Sequence, residues 1–292
     1  MVADSSYPAT PRSQQGSSEE TRYVSSARVS SSPPGEAAQV KTPLFTPEQE
    51  TRIGEVVQEY LLTHPDILVA VSRKLEVQQQ AEQLNAMTQA VLRHQDALLD
   101  DKSTPSYGPD DAKVAFVEFF DYQCSVCARE APVINSLMKK NPQVRYVFKE
   151  WPIFAQRWEP SLEAAKTGLQ IWEKKGGKAY LDYHNALYET GHDEGRLTQA
   201  DISRAAGHVG KVKGNNDGMP EALSRTNALA QNLGLRGTPG IIVMPAHGAT
   251  AENVTVIPGG ADQNTLQAAI DKASSGGTPS TPGLPGEGKN IQ

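Results

Sequence analysis

Apolar positions along this 292-residue chain follow a helical period in one part and a strand-like pattern in another. From Thr46, the run TPEQETRIGEVVQEYLLTHP puts Ile53, Val56, Val57, Tyr60 and Leu61 on one helical face. Thr46 suits an N-cap, Pro47 suits the first helical position, and Gln49 completes a capping box. Pro65 and Asp66 open a second helical pattern that runs to about Leu99 without Gly or Pro. Its apolar set is Leu68, Val71, Leu75, Leu84, Met87, Val91 and Leu98. At ~1.5 Å per residue, such a helix extends roughly 50 Å, longer than a small domain is wide. Gln78, Gln79, Gln80 and Glu82 interrupt the stripe, so it is not a clean coiled coil. Two readings follow: a hairpin folded back on its own subunit, or an arm that joins subunits. The length favours the arm, because so long a helix has little intrachain core available to it.

From Lys113 the pattern changes. VAFVEFF reads as a buried strand, and the segment after it opens a helix that continues to about Lys140. VRYVFKEWP is a second strand, and residues 160–233 read as several helices punctuated by Gly176, Gly177, Gly191 and Gly195. GIIVMP and NVTVIPGG are two further β runs, followed by a closing helix, ADQNTLQAAIDKAS. This order predicts an α/β layered domain with a helical insertion. The expected organisation is a disordered segment at 1–43, a helical oligomerisation region at 44–101, a linker at 102–112, an α/β domain at 113–273 and a flexible tail at 274–292. The first segment contains ten serines and five prolines and few large apolar residues. It cannot bury enough surface to offset its ordering entropy.

A net charge of −6 and a pI near 5.6 leave no basic surplus to neutralise phosphates, which argues against a general nucleic-acid binder. No run approaches the ~20 apolar residues of a membrane span. The opening MVADSSYPAT has no basic and apolar leader pattern, so the chain is expected to be cytosolic or to have lost a leader.

The chain has only two cysteines, Cys124 and Cys127, in FFDYQCSVCAREAP. A zinc site needs about four ligands, and the histidines, including His184, His192 and His208, show no ligand spacing. A purely structural disulfide closing so short a loop would restrain the unfolded chain little. The placement suggests reactivity. Cys124 falls where a helix begins, and unpaired N–H groups and the helix dipole stabilise a thiolate there. Cys124 is expected to attack a substrate disulfide, and Cys127, one turn inward, to resolve the mixed disulfide. Pro132 lies within the same helical stretch.

A CxxC between a strand and a helix, with VEFFDYQCSVCAREAP, FKEWPI and RGTPG, resembles the DsbA-like thiol–disulfide oxidoreductases of the thioredoxin superfamily. The branch with an added N-terminal oligomerisation region, including the ScsC-like proteins, is the nearest in pattern. The resemblance implies a thioredoxin fold preceded by an oligomerisation arm. It also implies that Thr238 and Pro239, through a cis peptide bond, present backbone groups to an extended peptide beside Cys124. Gly240 departs from the bulkier residue common at that place. Glu118 matches the buried acid of the family, with Lys149 as its possible partner, and could accept the Cys127 proton; a structural ion pair is the alternative. Ser125 and Val126 supply no charge between the cysteines, so a less depressed Cys124 pKa and a less oxidising couple than in DsbA are expected.

The expected activity is therefore disulfide exchange on proteins, as an isomerase or reductase, with no cofactor and no resident metal. A dithiol oxidase, a Cu(I)-binding protein and a chaperone are the alternatives. The resemblance further implies unfolded or misfolded disulfide-containing substrates, a membrane redox partner, a dimeric or trimeric assembly and a periplasmic or otherwise extracytoplasmic location.

Overall fold

The structure, a computed structural model, describes residues 44–210 and 218–275. The readings of 1–43 as disordered and of the tail beyond Ser275 as flexible lie outside the described residues.

Helix α1 spans Pro47–Thr63. Thr46 caps it: its hydroxyl accepts the Gln49 N–H at 3.3 Å, while Gln49 Oε1 accepts the Thr46 N–H at 2.9 Å. Ile53, Val56, Val57 and Tyr60 are about half exposed, and α1 has no buried residue.

Helix α2 spans Pro65–Arg93, and a break at His94 separates it from the short α3, Gln95–Leu99. The two ends of α2 differ in environment. Leu68, Val69, Val71, Leu75 and Val77 remain exposed, whereas Met87, Ala90 and Val91 are buried. Together with Leu98 and Leu99 of α3, these three join a core that also contains Val117, Phe119, Val147 and Ile242. The last turns of the 44–101 stretch thus belong to the core of the α/β domain, while its exposed apolar positions lie in α1 and the first half of α2.

Residues 102–112, expected as a linker, also carry structure. Thr104 and Pro105 are buried, and Ser106–Tyr107 forms strand β1. The rest of the domain follows as β2 (Val114–Phe120), α4 (Ser125–Lys140), β3 (Arg145–Glu150), α5 (Glu159–Glu189), α6 (Gln199–His208), α7 (Met219–Asn232), β4 (Gly240–Pro245), β5 (Thr255–Ile257) and α8 (Gln263–Ser274). The backbone of α5 leaves the helical region at Gly176.

The five strands form one sheet in the order β1-β3-β2-β4-β5. Only β2 and β3 run parallel; the other neighbours are antiparallel. All residues of β2 and β4 are buried, because each lies inside the sheet with both faces covered. Alternation then divides the core. Phe116, Phe120, Tyr146 and Phe148 pack with α4, α5, α6 and α8. Val117, Phe119, Val147 and Trp151 pack with the end of α2, with α3 and with α7. The site lies where β2 delivers the chain into α4.

Candidate active site

Asp121 shapes the turn between β2 and α4. Its carboxylate accepts the Gln123 N–H at 2.8 Å, the Phe154 N–H at 2.9 Å and the Ser161 hydroxyl at 2.8 Å. Three donors on one short side chain fix the turn, and Cys124 becomes the N-cap of α4. Its sulfur accepts the Cys127 N–H at 3.4 Å and donates to the Thr238 carbonyl oxygen at 3.3 Å. The Thr238–Pro239 bond is cis.

Both sulfurs are free thiols. Cys124 is 4% exposed and Cys127 is fully covered. Exposure separates them little, whereas charge preference separates them strongly. Hydrogen bonding from the Cys127 thiol chiefly draws the Cys124 pKa down to about 6. Burial opposes this, and the Thr238 side chain and the N–H groups of Cys127 and Val126 assist it. Burial, followed by hydrogen bonding and charge from Cys124, pushes the Cys127 thiol well above its ordinary value. The two thiols are thus distinguished by which sulfur receives donors.

Between the cysteines, the Ser125 N–H donates to Glu194 Oε1 at 3.3 Å, so part of the helix N-terminus is already engaged by an anion. Val126 is half-buried against the core, and neither residue brings charge to the sulfurs.

Glu118 is 2% exposed on β2, on the face shared with Phe116 and Phe120. Burial first, then the charges of Glu130 and Cys124, push its carboxyl well above the carboxylate range. Lys149 is not its partner. Glu118 stands opposite Phe148 in the parallel register and Lys149 opposite Phe119, so the two side chains leave the sheet on opposite faces. The Lys149 amine donates to the Ala97 carbonyl oxygen at 2.8 Å and to the Thr104 hydroxyl at 2.9 Å. It fastens α3 and the approach to β1 onto the sheet, and burial lowers its pKa to about 8.

Beside Thr238 and Pro239 lies a groove of about 590 Å³, walled by Arg236 and Gly237, by Val256–Gly259, and by Gln80, Gln83 and Leu84 of α2. The three α2 residues were not among the expected site residues; no motif marks them, and only the docking of the helix end brings them to the loop. A larger cavity, about 890 Å³, is lined from β1, α4 and α5 and by none of the residues around the sulfurs. At Gly240 an added Cβ would meet Leu235 Cδ2 at 2.8 Å, so the Leu235 side chain fills the space that a larger residue would take. Among the described residues, no group of three or more His, Cys, Asp or Glu is arranged to hold a metal ion.

A mixed sheet carrying a strand-to-helix CxxC opposite a Thr-Pro turn defines a thioredoxin-like protein. The chain belongs to the thioredoxin family, whose description, "Thioredoxin", matches residues 100–275. Residues 49–82 match the "Copper resistance protein ScsC N-terminal domain". BcfH of Salmonella enterica Typhimurium is 45% identical, with a TM-score of 0.70 over 77% of this chain and 96% of that one. Proteus mirabilis ScsC in a transitional conformation is 26% identical, with a TM-score of 0.54 over 80% of this chain and 98% of that one. A periplasmic thioredoxin-like protein from Salmonella enterica serovar Typhimurium is 25% identical, with a TM-score of 0.52 over 61% and 95%. Among curated proteins, the Na(+)/H(+) antiporter NhaA 3 of Salinispora tropica is 32% identical over 71 residues, or 23% of this chain. The chain spans 11% of the length of that relative.

Proposed function

We propose that this chain is a thiol–disulfide oxidoreductase acting on protein disulfides, working as an isomerase or reductase outside the cytoplasm and as a homo-oligomer. The observation that carries the reading is the asymmetry of the two thiols, with Cys124 drawn to about 6 and Cys127 pushed up behind it. The Cys124 thiolate attacks one sulfur of a substrate disulfide. A Cys124–substrate bond forms, and the other substrate sulfur leaves as a thiolate and takes up a proton. In isomerisation, a different substrate thiolate then displaces Cys124, with no net electron transfer. In reduction, Cys127 loses its proton, attacks Cys124 and releases the second substrate thiol; the pair is oxidised by two electrons and the substrate is reduced by two. Glu118 serves as the proton acceptor for Cys127.

A Cys124 pKa of about 6 lies between the ~3.5 of a strongly oxidising pair and the ~8.5 of a free thiol. Such a couple releases Cys124 from a mixed disulfide in either direction, which suits isomerisation. The exposed apolar positions of α1 and of the first half of α2 support assembly with further copies of the chain. The similarity to a periplasmic thioredoxin-like protein of Salmonella supports an extracytoplasmic site of action.

Equilibration with glutathione across a range of potentials, together with refolding of a scrambled multi-disulfide substrate, tests this reading. An isomerase restores native pairings when supplied reduced. A pair that oxidises reduced substrates but cannot rescue scrambled ones is a dithiol oxidase, and the isomerase reading then fails.

A further inference from the structure

Two carboxyls border the cysteine pair, and only one has been given a role above. Glu130 lies on α4, three residues after Cys127 and four after Val126, so it shares their helix face. It is 4% exposed. Its Oε1 accepts the Ala261 N–H at 2.8 Å, and its Oε2 is buried with no hydrogen-bond partner among the described residues. A carboxylate with one oxygen left undonated in a covered site retains a proton more readily than one in water.

The cover over Glu130 is thin. Gly260 is exposed, and a Cβ placed on it would lie 4.0 Å from both Glu130 oxygens and 2.8 Å from Val126 Cγ1. The absence of a side chain at this position keeps the layer between the carboxyl and solvent to one backbone turn. The Glu118 carboxyl is wholly enclosed on β2, and Glu130 and Cys124 both bear on it electrostatically. The charged groups facing Glu130 are Cys124 on its own helix and Glu118 on β2. The β5–α8 turn presents the Ala261 N–H, while Asp262 is engaged with the Thr265 N–H at 2.7 Å. Burial first, and then the Cys124 charge, raises Glu130 to about 7 despite the Ala261 bond. Because the charges of Glu130 and Cys124 both raise the Glu118 carboxyl, the three groups do not all ionise together.

We propose that Glu130 is the port through which the proton released by Cys127 passes from the enclosed Glu118 to solvent, beneath the Gly260–Ala261 turn. The proposal rests on the reading of the chain as a disulfide exchanger. During resolution, the Cys127 S–H gives its proton to the Glu118 carboxylate, and the Cys127 sulfur attacks Cys124 Sγ. The Cys124–Cys127 bond forms, the Cys124–substrate bond breaks, and the substrate sulfur leaves with the electron pair as a thiolate. Glu118 must then discharge its proton before the next turnover, and Glu130 relays it outward. Acting through Glu118 and not on the sulfurs, Glu130 is a positioning residue.

Ellman's reagent separates the two events in the full-length reduced protein. The first thionitrobenzoate release reports attack by Cys124, and the second reports resolution by Cys127. Wild-type protein and the Glu130→Gln and Glu130→Asp variants are compared by stopped flow from pH 5 to pH 9. Gln retains an oxygen to accept the Ala261 N–H but cannot carry the proton. In Glu130→Gln the first release should keep its midpoint near that of wild type. The second should slow about tenfold, below the 10²–10⁴ of direct acid–base catalysis, and lose the inflection near 7. Glu130→Asp should keep that inflection. A second release with wild-type rate and profile in Glu130→Gln overturns the relay. Should Glu130→Gln not fold, Glu130→Asp decides alone: slowed resolution with the inflection kept supports the relay, and an unchanged rate overturns it. Absence of any rapid first release in wild type would sink the exchanger reading itself, a result distinct from either.

Discussion

The Cys124 thiol donates to the Thr238 carbonyl oxygen at 3.3 Å, and the same sulfur accepts the Cys127 N–H at 3.4 Å. Ionisation gives up the first contact and strengthens the second, because an N–H donates better to a thiolate than to a thiol. The donors outweigh burial, and the Cys124 pKa falls to about 6. Alkylation of Cys124 by iodoacetamide should therefore rise with pH through a midpoint near 6 and level off above it. The sign for stability follows. The folded, reduced protein holds this thiol at a lower pKa than the unfolded chain does. The stabilisation is complete above the unfolded value and is lost as pH falls through about 6. Chemical unfolding of the reduced wild type and of Cys124→Ser at pH 5 and pH 8 checks it: the wild type should gain stability relative to the variant at pH 8, because the raised carboxyls titrate in both.

The two cysteines should fail differently when replaced. Cys124→Ser removes the nucleophile and abolishes exchange. Cys127→Ser leaves the low-pKa sulfur in place and removes the resolving one, so mixed disulfides should accumulate on Cys124. Mass spectrometry after incubation with a disulfide-bonded protein distinguishes the two. Faster alkylation of Cys127 than of Cys124 in the reduced wild type would reverse the assignment.

Opposite faces of the sheet assign Glu118 and Lys149 different roles. Glu118→Leu should slow resolution by Cys127, because it removes the enclosed acceptor. It should also stabilise the protein at pH 8. A carboxyl whose pKa is raised by folding supports the fold below its unfolded value and loses that support as pH rises, at about 1.4 kcal/mol per unit of displacement. Lys149→Met should leave both thiol steps within about twofold of wild type. It should cost about 1–3 kcal/mol, because the Ala97 and Thr104 acceptors lose their donor. Denaturant titration and Ellman kinetics on both variants decide; a Lys149 variant with the Glu118 kinetic defect would restore the pairing.

The CxxC, the central strands and the Thr-Pro turn were legible because each is a local signal: a buried apolar run, two sulfurs at a helix start, a Pro before a strand. The placement of Lys149 was not. FKEWP offers a lysine near the acid in the strand pattern, but its face depends on the β2–β3 register, which the sequence does not state. Strand β1 escaped notice because two residues between Pro105 and Gly108 carry no alternation to read. Met87 and Val91 were indistinguishable from Leu68 and Leu75, since one helical stripe can face a core in one turn and solvent in another. Glu130 did leave a signal. It shares the buried face of Cys127, Ala131 and Ile134, where an acid is out of place unless it has work there.

The α2 wall of the groove should matter for proteins and not for small thiols. Leu84 and Gln83 line the groove beside Pro239, which neither cysteine lines. Leu84→Glu would place a charge in a groove that must receive an extended chain. The expected result is a KM for a peptide disulfide raised about tenfold, with the rate toward Ellman's reagent unchanged. Equal effects on both substrates would mean that the helix end supports the site structurally and does not form part of it.

Truncation tests the arm, and the structure dictates where to cut. Removing residues 1–104 would discard Met87, Ala90, Val91, Leu98 and Leu99 from the core and take away Thr104, which holds the Lys149 amine. Burial of a large apolar side chain is worth about 1.5–3 kcal/mol, so this loss rivals the stability of a whole domain. Such a fragment should express poorly or unfold at low denaturant. Among the described residues, removing 1–77 discards no buried side chain, and Ile53, Val57, Leu68 and Leu75, which go with it, are exposed. That fragment should fold, keep the Cys124 midpoint near 6 and run as a monomer in light scattering, while the full chain runs as an oligomer. If the arm gathers several Cys124 thiols around one substrate, tethering keeps a released intermediate near a second site at raised effective concentration. The shorter fragment should then lose rescue of a scrambled substrate while keeping simple reduction of a single disulfide. A full-length monomer would remove the arm from the argument, and equal rescue by both forms would leave it without a catalytic purpose.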